Sequence, residues 1–238
     1  MKKVFFSLAT LLSLALWSFT SSSSAGLVSE TLKGKSGNEY LIVYKGDAAI
    51  DFEITRPDKS DQSILLCIAG AFTTLDDYAI DGIYVCKGKI GNLKKPNTSL
   101  GGAILMTDGE CTIFPSNKGA LLTDSLLQAV AAKKGSLFQQ IQMIEKGKAA
   151  KFKDVKLFQR RGIAVFTDGR IAIAESKKAI TLKTFADDLA ALGVKDLLYT
   201  DMGSWDEGWY RNSGGKQVAL GTNHSQTSKQ SNWIVFRK

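Results

Sequence analysis

The sequence predicts an α+β fold in a single domain, with mixed, largely antiparallel sheets and two main amphipathic helices. Short apolar or alternating runs recur at close spacing along the chain, and glycine-containing turns separate most of them. Only two stretches carry the 3.6-residue apolar period. They stand singly, without the regular strand–helix alternation of a doubly wound sheet.

Taken in order, Met1-Lys2-Lys3 precedes an apolar run over 4–19, the charged and apolar layout of a secretory signal. Ser23 and Ala25 supply the small residues of a cleavage site after Ala25, so 1–25 reads as a signal peptide and 26–238 as the working domain. The alternative, a retained anchor, asks for a longer apolar run of about 20 residues. The expected location is therefore secreted or periplasmic, with no stable membrane insertion after cleavage.

Alternation then predicts strands over 40–44, 50–54, 64–69, 82–86, 102–107 and 110–114. Lys87-Gly88-Lys89 and Thr107-Asp108-Gly109-Glu110 read as hairpin turns, because glycine supplies the positive φ that tight turns demand. Thr123 caps a helix whose Leu126, Leu127, Val130 and Ala131 share one face, with Gly135 closing it. A strand follows over 137–144, and then a hairpin of 163–166 with 171–174 around Thr167-Asp168-Gly169-Arg170. Thr181 caps the second helix, with Leu182, Phe185, Ala186, Leu189 and Leu192 toward the core and Gly193 in the left-handed closing position. Strands over 196–200 and 233–236 complete the set.

Without residues 1–25 the chain carries 29 basic and 23 acidic residues, a formal charge of +6 that favours anionic partners. The basic residues are scattered as isolated pairs such as Lys133-Lys134 and Lys177-Lys178, so no nucleic-acid surface is expected. Cys67, Cys86 and Cys111 lack metal-ligand spacing and sit in apolar runs, where they read as small core residues; pairing of two of them in an oxidising compartment is the other reading. The chain has no GxSxG, HExxH, P-loop or dinucleotide fingerprint.

Candidate chemistry concentrates in 197–211, where an apolar strand ends at Asp201 and a Gly203-Ser204 turn. Trp205, Asp206, Glu207, Trp209, Tyr210 and Arg211 follow within ten residues. Carboxylates there can bond hydroxyls, hold a divalent metal or act in acid/base work, and the tryptophans can stack on sugar rings. A surface loop pinned by packed aromatics is the competing reading. His224 is the single histidine, in a polar setting that suits either a general acid or base or an exposed loop residue. Arg160 and Arg161 open a strand, so alternation aims one of them inward, toward an oxyanion or an ion-pair partner.

Several of these segments resemble, in order, the phosphodiester glycosidase family, whose members include secreted bacterial proteins linked to exopolysaccharides. Ala69-Gly70-Ala71-Phe72 stands where that family has Asn-Gly-Gly-Phe, 160–170 resembles its Arg-opened hairpin, and Asp201-Met202-Gly203-Ser204 resembles its Asp-Gly-Gly-Gly-Ser. The resemblance implies hydrolysis of a sugar-1-phosphodiester, with a carbohydrate or glycan-phosphate as the partner. It implies that Asp201 acts on water or pairs in acid/base work with Asp206 or Glu207, helped by His224. It further implies that Arg160 or Arg161 holds the phosphate, and that Gly70, Phe72, Gly203, Ser204, Trp205, Trp209 and Asn223 line the substrate. No certain cofactor follows from it, and a divalent metal is compatible with the carboxylates. Ala69 and Met202 depart from the family pattern and motivate a second expectation, a non-catalytic glycan-binding or cell-envelope protein.

Overall fold

The computed structural model describes residues 26–92 and 96–238, so the proposed signal segment and the Lys94-Lys95 pair lie outside the described residues. Its first strands are β1 (Ser29–Lys33), β2 (Glu39–Tyr44), β3 (Ala49–Glu53), β4 (Ile64–Ala69), β5 (Tyr84–Cys86), β6 (Lys89–Gly91), β7 (Gly102–Thr107) and β8 (Glu110–Pro115). Helix α1 (Asp124–Ala132) leads into β9 (Ser136–Gln140), β10 (Gln142–Glu145), β11 (Lys148–Ala149), β12 (Arg161–Phe166) and β13 (Ile171–Ser176). Helix α2 (Leu182–Ala191), β14 (Val194–Tyr199), β15 (Trp209–Arg211), β16 (Gln217–Ala219) and β17 (Trp233–Arg237) complete the chain.

These strands build three sheets, ordered β1-β2-β13-β12-β14-β10-β11, β16-β15-β4-β17-β3 and β6-β5-β9-β7-β8. Alternation makes each sheet two-faced. One face of all three meets in a central core, which takes Val43, Ile163 and Leu198 from the first sheet, Phe52, Leu66 and Ile234 from the second, and Ile104 and Phe138 from the third. The opposite face of the first sheet is covered by α2 through Phe185, Ala186 and Leu189. That of the third is covered by α1 through Leu127 and Val130. The outer face of the second sheet carries Cys67, Trp209, Trp233 and Val235.

The α+β class, both helices and their caps agree with the sequence. Thr123 Oγ1 accepts from the Leu126 N–H and Thr181 Oγ1 from the Thr184 N–H, satisfying amides that the first helical turn leaves open. The hairpin turns also stand, with Lys87 and Gly88, and Asp108 and Gly109, all at positive φ. All three cysteines are free thiols, and burial raises the Cys67 and Cys111 thiols, the latter to about 12. No described helix is long and apolar enough to cross a membrane.

Two expectations change. The run over 137–144 is not one strand, because β9 pairs with β5 and β7 in the third sheet whereas β10 pairs with β14 in the first. A break at Ile141 carries the chain between sheets, a switch that no glycine, proline or turn residue in the run marks. The segment after Asp201 is not all loop, since Trp209–Arg211 forms β15 against β4 and β16.

Candidate functional site

The site forms where strand ends from two sheets converge. β14 finishes at Tyr199, and two residues later the Asp201 N–H donates to the Gly70 carbonyl at 2.9 Å, just past the end of β4. Asn232, directly before β17, clasps the same segment: its Oδ1 accepts from the Ala71 N–H at 2.8 Å and its Nδ2 donates to the Ala71 carbonyl at 3.0 Å. Asn232 is fully buried. The 69–73 segment is thereby tied to both neighbours, and a Cβ on Gly70 would sit 3.0 Å from Asn232 Oδ1.

Asp201 lies behind the wall of a cleft of about 440 Å³ lined by Phe158, Gln159, Met202, Gly203, Ser204, Trp205, Asp206, Gly221, Thr222 and Asn223. Its Oδ2 accepts from the Thr73 N–H at 3.0 Å and from the Trp205 indole N–H at 2.8 Å, which holds the Trp205 ring in the cleft wall. Burial pushes the Asp201 carboxyl up to about 6, against the opposing pull of those two hydrogen bonds and with a further rise from Asp206.

Beside it lies a buried ion cluster. Arg161 has the parity of Ile163 on β12 and therefore points into the junction of the first two sheets, where it is fully buried. Its Nε donates to Glu175 Oε2 at 2.7 Å, its Nη1 donates to Asp206 Oδ1 at 2.9 Å, and its Nη2 stands 2.9 Å from Asp206 Oδ2. That last contact is ionic only, because both atoms lack hydrogen-bond alignment. Burial opposes the guanidinium charge, but the two carboxylates outweigh it and the proton is held more tightly than usual. Gly208 and Gly221 leave room for this cluster: a Cβ would lie 2.8 Å from Arg161 Nη2 at the first and 2.9 Å from Asp206 Oδ2 at the second.

His224 is exposed at the cleft edge, and its Nδ1 is 2.7 Å from the Asp206 carbonyl. A carbonyl oxygen only accepts, so Nδ1 carries the hydrogen of this bond and Nε2 is the ring nitrogen left for another partner. Asn223 lines the cleft but spends its Oδ1 on the Ser225 N–H and hydroxyl.

The structure therefore gathers Asp201, Gly203, Ser204, Trp205, Asp206, Asn223 and His224, with Gly70 behind them. It removes five candidates from the cleft. Trp209 packs in the outer cluster with Cys67 and Trp233, because its place on β15 turns it to that face. The Glu207 carboxylate is held at the surface by Arg56 and by Lys59 Nζ at 2.7 Å. Arg160 points to the α2 side of the sheet, where it donates to the Ile180 carbonyl at 3.0 Å and to the Lys156 carbonyl at 2.9 Å and pairs with Asp154. Arg161 is committed to its two carboxylates, so neither arginine is available to grip a phosphate. Phe72 packs with Tyr199, ring centroids 6.0 Å apart, and does not line the cleft.

Sequence reasoning missed Glu175 and Asn232. The register of the β12–β13 hairpin sets Arg161 directly opposite Glu175, so the turn at Asp168-Gly169 was a usable signal for the first. Among the described residues, no three His, Cys, Asp or Glu side chains converge as metal ligands.

No family model matches the chain, and no curated protein matches it by sequence. Solved structures do. The zebrafish N-acetylglucosamine-1-phosphodiester α-N-acetylglucosaminidase catalytic domain, auto-inhibited by its pro-peptide, aligns over 92% of this chain and 85% of its own with 11% identity and a TM-score of 0.60. A hypothetical protein from Synechocystis aligns over 90% of this chain and 62% of its own with 14% identity and a TM-score of 0.58. The chain thus shares its fold with the catalytic domain of a phosphodiester glycosidase.

Proposed function

We propose that this protein is an exported hydrolase of the phosphodiester-glycosidase type, acting on the bond between a sugar anomeric carbon and a phosphodiester. The observation that carries the reading is Asp201, a buried carboxyl that burial pushes up to about 6, joined through the Trp205 indole to a carbohydrate-sized cleft. A carboxyl poised there can hold a proton near neutral pH and pass it on during acid/base work. His224 Nε2 serves as the base that activates water, with the ring fixed through Nδ1. Asp206, ion-paired with Arg161, sets negative charge beside the cleft, where an oxocarbenium-like centre gains from it. Trp205 supplies the ring face for stacking on the sugar.

A second reading, glycan binding without turnover, is favoured by one specific observation: the cleft lining contains neither lysine nor arginine, and Met202 fills part of it. Incubation with sugar-1-phosphodiesters separates the two. Release of sugar by the wild-type protein, lowered about a hundredfold or more in His224→Ala with its thermal midpoint unchanged, is the enzymatic outcome. Saturable sugar binding with no release rejects hydrolysis and leaves the binding reading.

A further inference from the structure

Between β11 and β12 the chain runs Lys151-Phe152-Lys153-Asp154-Val155-Lys156-Leu157-Phe158 without helix or strand. Val155 is 84% exposed, Leu157 62% and Phe158 55%, three of the few large apolar side chains left in solvent. Exposed apolar clusters of this kind mark interaction surfaces. The loop does not owe this exposure to a loose backbone. The buried Arg160 holds it from behind, through the Lys156 carbonyl at 2.9 Å and the Asp154 carboxylate at 3.0 Å, and its guanidinium lies 5.2 Å from the centre of the Phe158 ring. Phe158 is tied in both directions to Ile180, its N–H donating at 3.2 Å and its carbonyl accepting at 2.8 Å. Phe152 packs inward against the α2 core. With the backbone anchored on its inner side, Val155, Leu157 and Phe158 project outward.

Charge identifies what they meet. Lys151, Lys153 and Lys156 are all exposed, and the single acidic residue of the segment, Asp154, is neutralised by Arg160. A protein groove that takes three apolar side chains has no need of three lysines, and a free acidic glycan has no need of the apolar tip. An anionic lipid surface takes both, with ammonium groups at the headgroups and the apolar residues just beneath them. Phe158 also forms part of the cleft lining, so a docked loop sets the cleft mouth at the lipid interface.

We infer that residues 151–158 form an interfacial anchor for anionic lipid membranes, placed at the rim of the cleft. The inference does not depend on turnover, and its test measures none. Vesicles of phosphatidylcholine alone, and of phosphatidylcholine containing phosphatidylglycerol, are mixed with the full chain, and hydrogen–deuterium exchange is read on the peptide spanning 151–157. This readout is local, so contributions of residues 1–25 to vesicle binding do not mask it. Exchange there is expected to slow with anionic vesicles at low salt, to recover at high salt, and to stay unslowed with neutral vesicles. The Val155→Ser/Leu157→Ser variant should lose the slowing, and Lys151→Glu/Lys153→Glu/Lys156→Glu should weaken it on the order of a hundredfold in lipid concentration. No slowing at the loop, equal slowing on neutral vesicles, slowing that persists in both variants, or the same slowing with a lipid-free acidic polysaccharide would each overturn the proposal.

Discussion

Replacing Asp201 with asparagine should make the protein gain stability relative to wild type as pH rises. In the fold the carboxyl is moved from an ordinary value of 3.8 to about 6, mainly by burial. Between those values the folded state binds a proton that the unfolded chain releases. The contribution of Asp201 is fully present below pH 4, falls as pH rises through 6, and is gone by about pH 7. The interval corresponds to about 3 kcal/mol. Asparagine keeps an oxygen to accept from the Thr73 N–H and the Trp205 indole, the two bonds that Oδ2 makes, and it cannot ionise. Urea unfolding of both proteins at several pH values between 4.5 and 7.5 gives the difference in stability, from which titrating groups that do not interact with Asp201 cancel. That difference should shift toward the variant by about 2 kcal/mol across the range, the part of the full interval that lies above pH 4.5. A flat difference, or one that moves toward wild type, would refute the reasoning and with it the proton-holding role of Asp201.

Other substitutions test the remaining parts of the site. Arg161→Met leaves Glu175 and Asp206 buried without their partner and should cost about 3–5 kcal/mol in denaturant unfolding, with little rescue by lysine, which lacks the planar fork. Trp209→Ala should destabilise by about 3–5 kcal/mol as a core truncation, whereas the half-exposed Trp205→Ala should act mainly on sugar affinity measured by calorimetry.

Much of this molecule is legible one residue at a time. The period-two runs located most strands of the three sheets, and the glycines after Lys87, Asp108 and Asp168 located their hairpins, because strand alternation and positive φ are local requirements. Asp201 was legible for the same reason, standing where a buried strand meets a turn of small residues. The alternation rule also sends Arg160 and Arg161 to opposite faces of β12.

Partners and neighbours across sheets are a different matter, because they follow from how separate elements pack. Sequence could not decide that Arg160 props a loop while Arg161 closes a three-residue ion cluster, since Asp206 and Ile180 reach them from connecting segments outside β12. Trp205 and Trp209 look alike in sequence, yet one walls the cleft through Asp201 and the other is turned into an outer core by β15. Asn223 was a candidate for the substrate lining, but the asparagine that shapes the site is Asn232 at the mouth of β17, which binds a segment 161 residues away in the chain. By itself the sequence determined local backbone form and the direction of each side chain within its strand. The tertiary structure decided which directions converge, because convergence depends on the packing of β4 and β14 from two different sheets, whose ends meet where the Asp201 N–H donates to the Gly70 carbonyl and the Thr73 N–H donates to the Asp201 carboxylate.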